Sequence, residues 1–230
     1  MEHVSLTLQI TFGFISLITV CWFYLASNKS GSFLLILIFW MIFQMALGMS
    51  GFYVDGYSLP PRFLLLLLPP ILLVVVIAFS LKGKIFMDSL DLKQLTLIQS
   101  IRAGLELVLF FLYTAKAVPE IMTFEGRNFD IVSGLTAPFV YYYGFIKQRM
   151  SRTAMIAWNF IALGLALNIV ITAILSAPTP LQQFGFDQPN IAVAYFPFTW
   201  LPSVVVPILI FSHFVSIRQL ILKNTMATES

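Results

Sequence analysis

Gln99, Arg102, Glu106 and Tyr113 are the residues of this chain whose types and spacing best suit chemistry. At 100° per residue their four positions fall within an arc of about 60° on one helix face. Arg102 and Glu106 stand one turn apart, so their side chains are expected to meet. The surrounding sequence, Leu92–Ala115, is otherwise apolar. A charge at mid-bilayer costs about 2.5–3.5 kcal/mol on insertion scales, and pairing lowers that cost without removing it. The stripe is therefore expected to face a bundle interior or a wet cavity. There Arg102 would hold an anionic group or tune Glu106, and Glu106 would accept a proton or cation. The same residues would also serve as a purely structural ion pair, assisted by Gln44, Asn159 or Asn168.

A dense polar segment follows, from Lys116 to Asp130. It mixes five charged residues with Met122, Phe124 and Phe129. That alternation suits a loop folded back over the mouth of a bundle. Gly126 permits a tight turn, and Asp130 is a candidate N-cap for the next helix. Glu120, Glu125, Arg127 and Asn128 are placed either to line an entrance to the stripe or to form a rigid, self-capped turn. Trp200 lies among the prolines of the last apolar stretch, where ligand contact and interfacial packing are both open. His213 follows in the same stretch. Its ring titrates near neutral pH, which suits a proton relay, and an interfacial histidine beside Arg218 is the plainer alternative.

The elements that must position these residues are membrane helices. Of the 230 residues 59% are hydrophobic and 10% charged, against about 45–50% and about 25% in soluble domains. Lipid is the natural solvent for such a chain. Seven stretches reach the length of a bilayer crossing: residues 4–27, 33–54, 63–81, 92–115, 131–146, 153–176 and 191–217. The expected fold is all-α, a single seven-helix transmembrane domain over residues 1–223 with a flexible tail over 224–230. The first stretch lacks a basic leader and is expected to be a retained helix. Nine of the thirteen lysines and arginines (Lys29, Lys82, Lys84, Lys93, Lys147, Arg149, Arg152, Arg218, Lys223) fall in connections on one side. Only Arg62, Lys116 and Arg127 fall on the other. This bias puts the N-terminus outside and the C-terminus in the cytoplasm. Six acids, Glu2, Asp55, Glu120, Glu125, Asp130 and Asp187, then lie outside.

Several chemistries are disfavoured. Cys21 is the one cysteine, so neither an intrachain disulfide nor a cysteine metal cluster is expected. No metal site is expected. His3 and His213 fall on opposite faces of this topology, which argues against a bis-histidine haem. Retinal needs a lysine deep in a span, and the nearest candidate, Lys116, sits at an end. Ser133 and His213 are expected at different depths, which argues against an intramembrane serine protease. The net charge of +3 is scattered rather than gathered in a stripe, so nucleic acid is not an expected partner. The lipid bilayer is, and a homo-oligomer remains open.

Two segments carry a resemblance. Phe124-Glu125-Gly126-Arg127-Asn128-Phe129-Asp130 with Gly134-Leu135-Thr136-Ala137-Pro138 is one, and Thr199-Trp200-Leu201-Pro202 followed by Ser212-His213 is the other. Together they resemble a family of small, uncharacterised bacterial multi-pass membrane proteins. The resemblance implies a bacterial plasma or inner membrane and carries no activity. The leading functional expectation is binding or transport of a small polar solute, an ion or protons through an outward-opening pocket. Alternatives are an intramembrane enzyme acting on a lipid-type substrate through Glu106, Glu120 and Glu125, and a non-catalytic sensor or assembly subunit. No nucleophile stands out, so the enzyme reading comes second.

Overall fold

The computed structural model describes residues 1, 3–55 and 61–228, with side chains through residue 222. The expectations for Glu2 and for the Lys223 side chain lie outside the described residues. So do residues 229 and 230 of the expected tail, whose residues 224–228 continue the last helix.

The described chain is all-α. It comprises α1 (Leu6–Ala26), α2 (Gly31–Met49), α3 (Leu64–Phe79), α4 (Leu81–Ser89), α5 (Leu92–Leu97), α6 (Ile101–Thr114), α7 (Asp130–Tyr141), α8 (Arg152–Leu175) and α9 (Val206–Thr228). Among the described residues five helices are long and apolar enough to cross a membrane. They are α1, α2, α5 with α6, α8, and α9 with the π turn that precedes it. The count is six if α3 and α4 form one broken span.

The departures from the expected spans have local causes. Ser80 is extended, with ψ 149°, and its hydroxyl accepts the Gly83 N–H at 3.0 Å. That cap starts a new helix, α4, bent by 92° from α3. Its Leu81 and Ile85 are exposed while Phe86 stacks on Phe211, the pattern of a helix lying across the end of the bundle. The second span stops at Met49 rather than residue 54. The last begins at a π turn, Leu201–Val205, rather than at residue 191. Helix α7 has 12 residues and continues through a five-residue π turn, Tyr142–Ile146. The pair rises about 25 Å at 1.5 Å per residue.

Packing is inverted relative to a soluble protein. Phe39, Val76, Phe79, Phe139 and Ile161 are each more than 60% exposed. Gln44, Gln99, Arg102, Glu106, Asn128, Asn159 and His213 are at most 2% exposed. Exposed apolar surface on this scale needs a nonaqueous solvent, and polar groups at membrane depth must be satisfied within the bundle. Trp200 serves that packing. Its indole N–H donates to the Met41 carbonyl at 3.0 Å and its ring meets Phe196 edge-on. It ties α2 to the segment before α9, and it is not among the residues that line the charged cavity described next.

A candidate charged chamber

The loop between α6 and α7 descends into the bundle. Its contacts follow α6 rung by rung. Tyr113 donates to Glu120 at 3.3 Å. Phe110 stacks on Phe124, ring centres 5.2 Å apart. The Asn128 amide donates to Glu106 Oε1 at 2.6 Å. Arg102 Nη1 donates to Asp130 Oδ1 at 3.0 Å. From Tyr113 to Arg102 is eleven positions, a descent of about 16 Å. Non-helical backbone is tolerated this deep only when buried in protein. Here Asn128 carries much of the load: its amide also donates to the Met122 carbonyl at 3.0 Å, and its oxygen accepts the Asp130 N–H at 3.1 Å. From α8, Asn168 donates to the Arg127 carbonyl at 3.1 Å.

This geometry corrects the expected Arg102–Glu106 pair. The ion pair is Arg102–Asp130, and the guanidinium also donates to the Ala162 carbonyl of α8 at 3.0 Å. The hydrogen-bond partner of Glu106 is Asn128. Helical side chains lean toward their own N-terminus, so Arg102 points away from Glu106, and Arg before Glu is the weaker order for an i,i+4 pair. Asp130 is likewise not the N-cap. It is the first residue of α7, preceded by Phe129 at the cap, and its carboxylate reaches across to α6. Gly134 allows this approach: a Cβ there would press on Ala103 N and lie 3.1 Å from the Arg102 carbonyl carbon.

One turn toward the α5 end lies a second polar layer. Gln99 donates to the Leu209 carbonyl at 3.2 Å. His213, fully buried, shares a 2.8 Å hydrogen bond with Asn159. The Asn159 amide N–H is committed to the Met155 carbonyl, so its oxygen faces the ring and His213 donates through Nδ1. The expected place for His213, near the end of its span beside Arg218, is thus corrected. Arg218 instead makes a two-pronged bridge to Asp88, both contacts at 2.9 Å. Ser133 and His213 are likewise not separated in depth as expected. Ser133 is one turn along from Asp130, and Asn159 is one turn along from Ala162, which places Ser133 and His213 in about the same layer. No hydrogen bond joins the two.

Buried atoms without a protein partner in these layers include Gln99 Oε1, Arg102 Nε and Nη2, Glu106 Oε2 and His213 Nε2. Arg102, Glu106 and Asp130 line a cavity of about 40 Å³ against Leu109, Ala166 and Leu201. That is room for about three waters. The other candidate residues divide. Tyr113, Glu120 and Glu125 form an outer group, with both glutamates exposed. Arg127 is exposed too, and its backbone is engaged at both groups, the N–H donating to the Ile121 carbonyl at 3.3 Å and the carbonyl accepting from Asn168. Glu120 and Glu125 therefore do not converge on Glu106. Asn128, expected at the mouth, is a buried plug.

Comparison with known proteins finds no family model, no curated protein and no solved structure that matches the chain.

Proposed function

We propose that this chain is a seven-crossing protein of a bacterial plasma or inner membrane that takes up and passes a small positive charge, a proton or a monovalent cation, at Glu106. The orientation is the one set by the lysine and arginine bias, with the N-terminus outside. The bacterial assignment rests on the motif resemblance. Fusions that fluoresce only in the cytoplasm test the topology, and a dark C-terminal fusion would contradict it.

The observation that supports the function is the charge count of the chamber. Two carboxyls, Asp130 and Glu106, face one guanidinium, Arg102, and Glu106 Oε2 is unpartnered on the cavity. With both carboxyls ionised the chamber carries a net charge of −1, and an uncompensated buried charge costs several kcal/mol. One bound positive charge cancels it. An added anion would worsen it, even though Arg102 still has free donors. The volume suits a proton on Glu106 or a small ion with a water or two, and is too small for a sugar or an amino acid.

A second reading has its own observation. Arg102, Asp130 and Asn128 together pin the descending loop, so the network also suits a structural clamp. The two separate at Glu106. In proteoliposomes, Glu106→Gln is expected to cut cation or proton flux at least tenfold while leaving thermal stability near wild type, because glutamine still accepts from Asn128. Wild-type flux in that variant would leave only the clamp.

A further inference from the structure

The chamber is the innermost of three cavities in series. It shares Leu109, Ile169, Leu201 and Val206 with a second cavity of about 60 Å³. The second shares Phe63, Asn190 and Val193 with a third of about 80 Å³. The third reaches Tyr53 beyond the end of α2, and Thr179 and Tyr195 in the segment joining α8 to α9. Shared walls thus connect the buried carboxyls to the connections beyond the far ends of α2 and α8. These connections lie at the same end of the bundle as the α6–α7 loop, where Gln188 donates to the Tyr113 and Val118 carbonyls at 2.9 and 2.6 Å, but Glu125 and Arg127 line none of the three cavities.

Asn190 stands where the second and third cavities meet. Its side chain is 2% exposed. Its backbone N–H donates to the Ser176 carbonyl at 2.8 Å and its amide N–H to the Ala173 carbonyl at 3.1 Å. The amide orientation is therefore set, and Oδ1 is left buried without a partner. An unpaired amide oxygen in a wall this apolar favours a donor or a cation. Nearby oxygens are neutral as well: the Tyr53 hydroxyl, which donates to Gln44 at 2.6 Å, and the Thr179 hydroxyl. Among the described residues, no aspartate, glutamate, lysine or arginine lines either of these two cavities.

We infer that Asn190 Oδ1 is a neutral-oxygen binding station for a hydronium or small monovalent cation, at the outer end of a route to Glu106. This rests on the reading that Glu106 receives the charge. A neutral dipole holds a cation weakly, which suits a station that must release it. Between the two stations the shared wall is entirely aliphatic, Leu109, Ile169, Leu201 and Val206, the composition of a barrier that passes ions only when wetted. Leu201 opens the π turn before α9, and single π turns recur at functional positions in helices.

The test uses the full chain with Cys21→Ser, since Cys21 is free and exposed. Val193→Cys, in the wall of both outer cavities, is expected to react at least tenfold faster with a small cationic thiosulfonate than with an anionic one of similar size. In proteoliposomes Asn190→Leu is expected to lower flux about tenfold. Asn190→Asp, which keeps an oxygen and adds charge, is expected to half-saturate at lower cation concentration. Replacing sodium by an impermeant organic cation separates proton from metal-ion traffic. Wild-type flux in Asn190→Leu, or equal loss in both Asn190 variants with charge-indifferent labelling, overturns the station. If flux then still falls in Glu106→Gln, the function at Glu106 stands and only the route is lost. If Glu106→Gln carries wild-type flux, both fall.

Discussion

Asp130→Asn changes the chamber by one charge and almost no volume. In the native protein Arg102 is 1% exposed and takes its ion-pair contact from Asp130 at 3.0 Å. Removing one partner of such a pair costs about 3–5 kcal/mol, because the remaining charge is buried without compensation. Here Glu106 lies one turn along α6 and can supply part of that compensation, which places the expected loss near the low end, about 3 kcal/mol. The charge count also changes. One guanidinium then faces one carboxylate, the chamber is neutral without a bound cation, and flux is expected to fall with Glu106 intact. Arg102→Met alone is expected to cost at least as much, since it leaves two carboxyls together. The double variant should recover about 3 kcal/mol relative to the sum of the singles. Detergent-driven unfolding in mixed micelles measures all four proteins. Additivity within about 0.5 kcal/mol, the behaviour of independent sites, would refute the pair. Wild-type flux in Asp130→Asn would refute the charge count.

Two further outcomes follow from the descending loop. Asn128→Ala loses hydrogen bonds to Glu106, the Met122 carbonyl and the Asp130 N–H. It is expected to cost about 2–3 kcal/mol and to speed tryptic cleavage after Arg127 several-fold, whereas a loop held by its backbone alone would be cut at the wild-type rate. Gly134→Val drives a side chain into the α6 backbone at Arg102–Ala103, with an expected loss of about 1–3 kcal/mol. Gly13→Ala, with open space around it, is the control, and equal melting points for the two variants would contradict the close packing of α6 on α7.

Much of the site is legible one helix at a time. Gln99, Arg102 and Glu106 share a face because of the helical repeat, and they turn inward because lipid will not accept them. What is not legible is which groups meet. Pairing within a helix can be read from spacing, yet side-chain lean separates Arg102 from Glu106. Their actual partners, Asp130 and Asn128, lie 28 and 22 positions away. Those separations follow from a loop that descends about three turns, and a polar loop at a helix end reads the same whether it lies over the mouth or inside it. The depth of His213 is hidden from the sequence for a similar reason. Hydropathy sets the span edges in the sequence, whereas the last span begins at the π turn before α9, ten residues later, and runs further, which moves the ring to the middle of that span beside Asn159.

By itself, then, the sequence determined the solvent, the helical class and the stretch that had to be buried. These follow from composition and period, which each segment carries on its own. Tertiary structure decided that Arg102 pairs with Asp130, that Asn128 plugs rather than lines a mouth, and that Glu106 is left with one free oxygen. Those outcomes depend on the relative depth of α6, α7 and α8. Depth is set by packing between segments, at places such as Gly134, and no single segment encodes it.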